Sequence, residues 1–278
     1  MPELPEIETL RRDIDRDVVG KRVKAAEVMG MNAVRRHPNK KQFAQKLMAV
    51  KITGVERQGL LLVCTLDSGD ALVIRLGSSG RLLRVAAKVP VDGDTQVVIT
   101  FTQGGQLRFI DPVESGELFV ISADDLLSEV PEVAALGVDP VDEPMSWTTF
   151  GRLLVTNKGK LKAVLMDHSV ISGLGPVYSD EILFAAGLRH DRSSDALSTQ
   201  EIRRLYRAVV ETLHEALKHR GSTLRDGYYT DLHGKPGDFN DQHQVYERDG
   251  LACRRCRAVL VKTKFGGRPA YSCTQCQM

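Results

Sequence analysis

Four of the five cysteines in this 278-residue chain fall in two C-x2-C pairs, Cys253/Cys256 and Cys273/Cys276, with sixteen residues between the pairs. Two thiolate pairs, each on a tight knuckle, close a tetrahedral shell around one Zn2+. A disulfide framework is the rival arrangement, and an odd thiol count in a chain of cytosolic character argues against it. Four protein ligands leave no open coordination position, so the metal is expected to be structural and unable to activate water. The fifth thiol, Cys64, lies in the apolar run LLLVCTL and reads as a buried strand residue.

Charge is distributed unevenly along the chain. The net charge is only +2, yet residues 1–150 carry 18 Lys+Arg against 22 Asp+Glu, and residues 151–278 carry 20 against 14. The last 28 residues hold six bases and no acid: Arg254, Arg255, Arg257, Lys262, Lys264 and Arg268, all set around the cysteines. A basic zinc hairpin presented to phosphates is the natural inference. The acidic, Pro-rich start MPELPEIETL is unlike a secretory signal or a mitochondrial presequence, and no apolar run approaches the roughly 20 residues of a bilayer span.

Periodicity divides the chain. Residues 5–19 read as a helix, with Pro5 suited to the first helical position and Glu6 and Glu8 favourable at the positive end of the dipole. The next hundred residues carry short β-rich runs (VKAAEVMG, AVKITGVERQG, LLLVCTLDSG, ALVIRLGSSGRLLRV, TQVVITFTQGG, QLRFIDP, GELFVIS) separated by DSG, DGD and GG turns. That rhythm predicts a β-sandwich or barrel. Residues 124–147 are acidic, hold three prolines and read as a helical turn running into a linker. Helical periodicity follows from about 147, ending in the long run STQEIRRLYRAVVETLHEALKHR, where Ser198 and Glu201 form a capping-box pattern. Residues 221–244, rich in Gly, Asp and His, predict a long loop.

The amino-terminus carries its own chemistry. With a small second residue, Met1 is expected to be removed, leaving Pro2 as a free secondary amine, part of which is neutral at pH 7. Such an amine attacking a sugar carbon forms an iminium, an electron sink that eases loss of a base and β-elimination of phosphate. The reaction needs an adjacent acid. Glu3 is the next residue, and Glu6 lies one turn into the helix. A plain helix lead-in with favourable first-turn acids accounts for the same residues.

PELPEIETLRRDI, followed in order by RLGSSGRLL, GLGPVYSDEILFAAGL, RGSTLRD, GKPGDF, QVYERDG and the cysteine module ending in CQ, resembles the formamidopyrimidine-DNA glycosylase/endonuclease VIII family over the whole chain. The resemblance implies an α+β multidomain fold. Its expected parts are a β-sandwich catalytic domain (1–130), a linker (131–147), a helix–two-turn–helix domain with a long loop (148–240) and a four-cysteine zinc finger (241–278). It implies base flipping, Pro2 as Schiff-base nucleophile, Glu3 as general acid at the deoxyribose, Glu6 supporting that site, and Arg75 and Arg268 contacting phosphates. Zinc as a single structural cofactor, damaged DNA as partner, no membrane, a monomer, and a bacterial cytoplasmic, nucleoid-associated location complete the expectation.

Departures from the family pattern cluster. Leu60 stands where the family usually has a lysine, Arg75 where it has a histidine, and Ser78 where a methionine wedges into the duplex. Val113, Glu114 and Ser115 stand where an arginine pair and a phenylalanine fill the hole left by the flipped base. Pro176 replaces an asparagine and deletes a backbone donor. Leu82, Phe109 or Phe119 would have to take over the wedge after local realignment. Otherwise the protein keeps the chemistry and loses the usual way of opening a duplex. The expectation is a glycosylase/AP lyase acting on single-stranded, oxidised-pyrimidine or abasic DNA. The alternatives are a non-catalytic protein binding damaged DNA and, least compatible with the N-terminal pattern, a zinc-stabilised protein-interaction module.

Overall fold

The computed structural model describes residues 1–143 and 145–278; Pro144, in the expected linker, lies outside the described residues. The chain forms two compact units, one of residues 1–134 with 219–238 and the other of residues 135–218 with 239–278. Segment 219–238 thus belongs to the first unit, whereas the sequence reading attaches it to the helical domain. Among the described residues no helix is long and apolar enough to cross a membrane.

The first unit begins with helix α1 (Leu4–Asp17), with Pro5 in its first turn. Strands β1 (Val23–Val28), β2 (Ile52–Gln58), β3 (Leu61–Leu66), β4 (Asp70–Arg75), β5 (Arg81–Val85), β6 (Thr95–Phe101), β7 (Gln106–Ile110) and β8 (Glu117–Ser122) follow. They make two antiparallel four-stranded sheets, ordered β1-β6-β7-β5 and β2-β3-β4-β8. Each of the seven β-rich runs in the sequence contains a strand, and ALVIRLGSSGRLLRV contains two, β4 and β5.

Period-two alternation explains both faces of the second sheet. Leu62, Cys64 and Leu66 of β3, Leu72 and Ile74 of β4, and Leu118 and Val120 of β8 enter the main core with Ile7, Leu10 and Ile14 of α1. Their neighbours Leu61, Val63, Ala71, Val73, Phe119 and Ile121 form a second apolar cluster with Val130 and Val133. Burial of each large apolar side chain is worth about 1.5–3 kcal/mol. Val133 lies in α4 (Pro131–Ala134) and Val130 just before it, after α3 (Leu126–Glu129). The expected linker therefore opens with a helical turn that covers a sheet face. Helix α2 (Lys40–Leu47) escaped the periodicity because it buries only Phe43 and Leu47 among lysines and glutamines.

The second unit contains α5 (Trp147–Thr156), α6 (Leu161–Leu165), α7 (Pro176–Ala186), α8 (Thr199–Lys218) and the hairpin of β9 (Val261–Phe265) and β10 (Arg268–Ser272). The capping box at α8 forms as expected. Ser198 N–H donates to Glu201 Oε2 (2.8 Å), and Glu201 N–H donates to Ser198 Oγ (3.3 Å). Helix α7 is buried on nearly all sides, carboxylates included. Those carboxylates serve as anchors. Glu181 accepts backbone N–H groups of Gln244, Val245 and Tyr246 at 2.8–2.9 Å. Lys162 Nζ donates to Asp180 Oδ1 (2.7 Å) and to the carbonyl of Pro269 (3.1 Å), while Asp180 Oδ2 accepts Tyr271 N–H (3.0 Å). Burial pushes Asp180 up to about 6 even with Lys162 beside it. The pair ties β10 of the hairpin to α6 and α7.

Candidate active site and zinc centre

Pro2, Glu3 and Glu6 occupy the buried amino-terminal end of α1, with Glu3 and Glu6 only 2% and 3% exposed. Glu3 N–H donates to Glu6 Oε2 (2.8 Å), the returning half of a capping box, so helix-start chemistry itself orients this carboxylate. The other oxygen, Oε1, accepts Ser222 N–H (2.7 Å) from segment 219–238. Gly221 has φ +81°, and a Cβ there would lie 2.5 Å from Glu6 Oε1, so only glycine admits this approach. Tyr229, buried against the same core, donates its hydroxyl to the Arg220 carbonyl (2.7 Å). Burial and the nearby Glu6 carboxylate raise the Tyr229 phenol well above its ordinary range. Two residues further along α1, buried Glu8 meets Arg57 (3.2 Å), Arg11 (2.9 Å) and Arg12 (2.7 Å).

Loops 76–80 and 111–116 carry most of the departures. Ser78 N–H donates to Ser115 Oγ (2.9 Å), and the two hydroxyls also meet at 2.9 Å. Buried Asp111 takes the Ser79 hydroxyl on Oδ1 and Gly116 N–H on Oδ2 (2.7 Å). Glu114 has φ +56°, and its Oε2 accepts Asn32 Nδ2 (2.6 Å). Leu82, Phe109 and Phe119 are 0–1% exposed, so none of them is placed to replace a wedge. Leu60 packs against the sandwich core, which accounts for an apolar residue there. Pro176 opens α7, where no intrahelical N–H is needed, so it costs the helix nothing.

Arg75 is not free to face a ligand. It pairs with Glu132 and with Glu117 (3.4 Å), and Glu117 also holds Arg35 (3.1 Å) and Arg36 (3.0 Å). By contrast, Arg268 is exposed at the start of β10, directly after the Gly266–Gly267 turn.

The four cysteine sulfurs lie within 4.8 Å of one another, with Cys253–Cys276 at 3.9 Å and Cys256–Cys273 at 3.4 Å. Tetrahedral Zn–S bonds of about 2.3 Å place sulfurs about 3.8 Å apart, so the donor set fits one zinc. Each knuckle has its own brace. Arg257 takes φ +70° and donates its N–H to the Cys253 carbonyl (3.0 Å). Gln277 accepts Cys273 N–H (2.8 Å) and donates to the Leu188 carbonyl (2.9 Å). Cys253, Cys256, Cys273 and Cys276 are thus a donor set consistent with the one structural zinc of this class of finger. Cys64 is fully buried on β3, and burial pushes its thiol up to about 12, leaving it inert.

These features define a class: a multidomain α+β protein built on a β-sandwich with a buried amino-terminal helix start, joined to a helical unit closed by a four-cysteine zinc finger. Three family descriptions match in order, the formamidopyrimidine-DNA glycosylase N-terminal domain over residues 1–118, its H2TH domain over 136–227, and the zinc finger found in FPG and IleRS over 250–277. Formamidopyrimidine-DNA glycosylases of Desulfitobacterium hafniense and Pelotomaculum thermopropionicum are 33% and 35% identical, each matching 100% of this chain and 99–100% of its own length. The Lactococcus lactis Fpg in complex with DNA containing an abasic site superposes with a TM-score of 0.89 at 28% identity, covering 99% of both chains. MutM (FPG) from Thermus thermophilus gives 0.87 at 33%, covering 99% of this chain and 98% of its own. The chain belongs to the formamidopyrimidine-DNA glycosylase family and is an enzyme of that class, a DNA glycosylase.

Proposed function

We propose that this protein is a base-excision enzyme with both glycosylase and AP lyase activity on damaged DNA, acting through Pro2. Loss of Met1 frees the Pro2 amine. Its lone pair forms a bond to C1′ of the lesion deoxyribose as the bond from C1′ to the base breaks, the base leaving with that electron pair and taking up the proton the amine gives up. The C1′–O4′ bond then opens to the iminium as Glu3 protonates O4′. The resulting iminium acidifies the C2′ proton, and loss of that proton expels the 3′-phosphate. Glu6 supports the same site. The observation that carries this reading is the burial of Pro2 and Glu3 at the start of α1, with Glu6 fastened between Glu3 N–H and Ser222 N–H.

Substrate choice is altered. Unstacking a base costs roughly a few kcal/mol, which inserted apolar side chains normally offset. Ser78 and Ser115 are spent on each other, and Glu114 presents an acid where the family has a base. A single strand has no partner base to stabilise, so single-stranded, oxidised-pyrimidine or already abasic DNA suits this site better than 8-oxoguanine paired with cytosine. We assign the phosphate grip to Arg268. Arg75 reaches a phosphate only by leaving Glu117 and Glu132.

Borohydride trapping on an abasic oligonucleotide tests the chemistry. The wild-type chain lacking Met1 is expected to form a covalent adduct, and Pro2→Gly to lose most of it. Glu3→Gln is expected to impair base excision more than nicking of a preformed abasic site. Undiminished trapping by Pro2→Gly, or an intact Met1, would favour a protein that only binds damaged DNA.

A further inference from the structure

Helix α1 carries a second buried carboxylate on the face of Glu6. Asp13 lies seven residues on, about two helical turns, and is 0% exposed. Segment 219–238 holds both carboxylates. Ser222 N–H donates to Glu6 Oε1 (2.7 Å). At the other end Asp13 Oδ2 accepts the Arg220 guanidinium and Leu232 N–H (3.4 Å), and Arg16 binds Oδ1 (3.0 Å). Arg220 Nε also donates to Asp231 Oδ2 (3.0 Å), and Asp231 Oδ1 accepts His233 N–H and Lys235 N–H, both at 2.9 Å. One guanidinium therefore joins the helix to both arms of the segment.

The backbone makes this arrangement informative. Arg220 and Gly221 are both left-handed, with φ of +58° and +81°. Glycine adopts that conformation freely, whereas arginine is strained in it. Such strain persists where surrounding contacts over-determine it and concentrates at functional sites. The side chain that accepts the strain is the one bridging two nearly fully buried carboxylates.

We propose that Arg220, with Asp13 and Asp231, is a positioning residue for Glu6: it locks Gly221 and Ser222 so that the Ser222 N–H fixes the orientation of the Glu6 carboxylate. This inference rests on the role of Glu6 given above. Arg220 touches Asp13 and Asp231, and acts on Glu6 through the two residues that follow it in the chain.

Arg220→Gly in the full, zinc-loaded chain separates the clamp from the fold, because glycine relieves the backbone strain while removing the guanidinium. Amide exchange across residues 221–232 is expected to accelerate about tenfold or more. Single-turnover excision is expected to slow about tenfold, as small misplacements at a reacting centre do, with affinity for abasic DNA unchanged. Arg220→Lys should restore only part of the loss, since an ammonium lacks the fork that spans two carboxylates. Unchanged exchange would overturn the clamp. Weaker DNA binding with a shallower salt dependence and unchanged exchange would make Arg220 a phosphate contact instead, and also overturn it. Wild-type excision by Glu6→Gln would remove the role of Glu6, while accelerated exchange in Arg220→Gly would still uphold the clamp.

Discussion

Glu8 illustrates how single side chains are committed in this molecule. It is 1% exposed, and burial by itself raises a carboxyl pKa. Hydrogen bonds from Arg11 and Arg12 and the charge of Arg57 outweigh that burial and hold Glu8 below its ordinary value of 4.5. A group whose folded pKa is depressed contributes stability above its unfolded pKa and loses it as pH falls through the folded one. Denaturant midpoints of the wild type are therefore expected to exceed those of Glu8→Gln above pH 4.5, and the gap to close as pH drops below it. A gap independent of pH would mean that packing, not charge, is what Glu8 supplies. The motif PEIETLRR placed these residues on one helix, but the partner Arg57 lies on β2 and no local pattern pointed to it.

The elements that carry the departures are two short loops rather than isolated positions. Gly77 and Gly116 let them approach so closely that a Cβ on either would collide with the opposite backbone. Within that contact Ser78 and Ser115 are mutual hydrogen-bond partners. Two substitutions that look independent in the sequence thus amount to one structural change. Ser78→Met, Val113→Arg and Ser115→Phe together should free the loops from this latch and restore apolar and cationic groups. The triple variant is expected to raise excision from duplex DNA relative to single-stranded DNA by on the order of tenfold. Parallel single-turnover assays on one lesion in both forms measure the ratio. A wild-type rate on 8-oxoguanine opposite cytosine that exceeds its single-strand rate would reject the argument.

At the scale of the whole molecule, both units bury apolar cores, and the cysteine module stands apart from them. The first unit has a continuous core between two sheets, whereas the cysteine module of the second gathers four thiols whose proximity is expected to depend on a bound metal. A structural zinc contributes about 10–16 kcal/mol of apparent binding free energy in small fingers. Removing it with a strong chelator is expected to release one zinc per chain, to unfold residues 250–277 and to abolish DNA binding. The β-sandwich should keep its slow amide exchange. Colorimetric zinc release followed by hydrogen exchange checks this, and loss of protection throughout β1–β8 would show that the finger supports more than itself.

Features written in short stretches of chain were determined by the sequence alone. Knuckle spacing points to the zinc donors, β-rich runs between turn signals mark the strands of the sandwich (though one run hides both β4 and β5), and Ser198 with Glu201 specifies the start of α8. Each depends on residues a few positions apart, whose geometry the backbone dictates. Helix α2 was missed because two buried residues are too few to show a period. Only the tertiary structure decided that segment 219–238 packs with the sandwich, that Arg75 is neutralised by Glu117 and Glu132, and that Leu82, Phe109 and Phe119 are core. Those outcomes join residues far apart in the chain. An arginine's composition is the same whether it meets a phosphate or a carboxylate, and packing alone selects its partner.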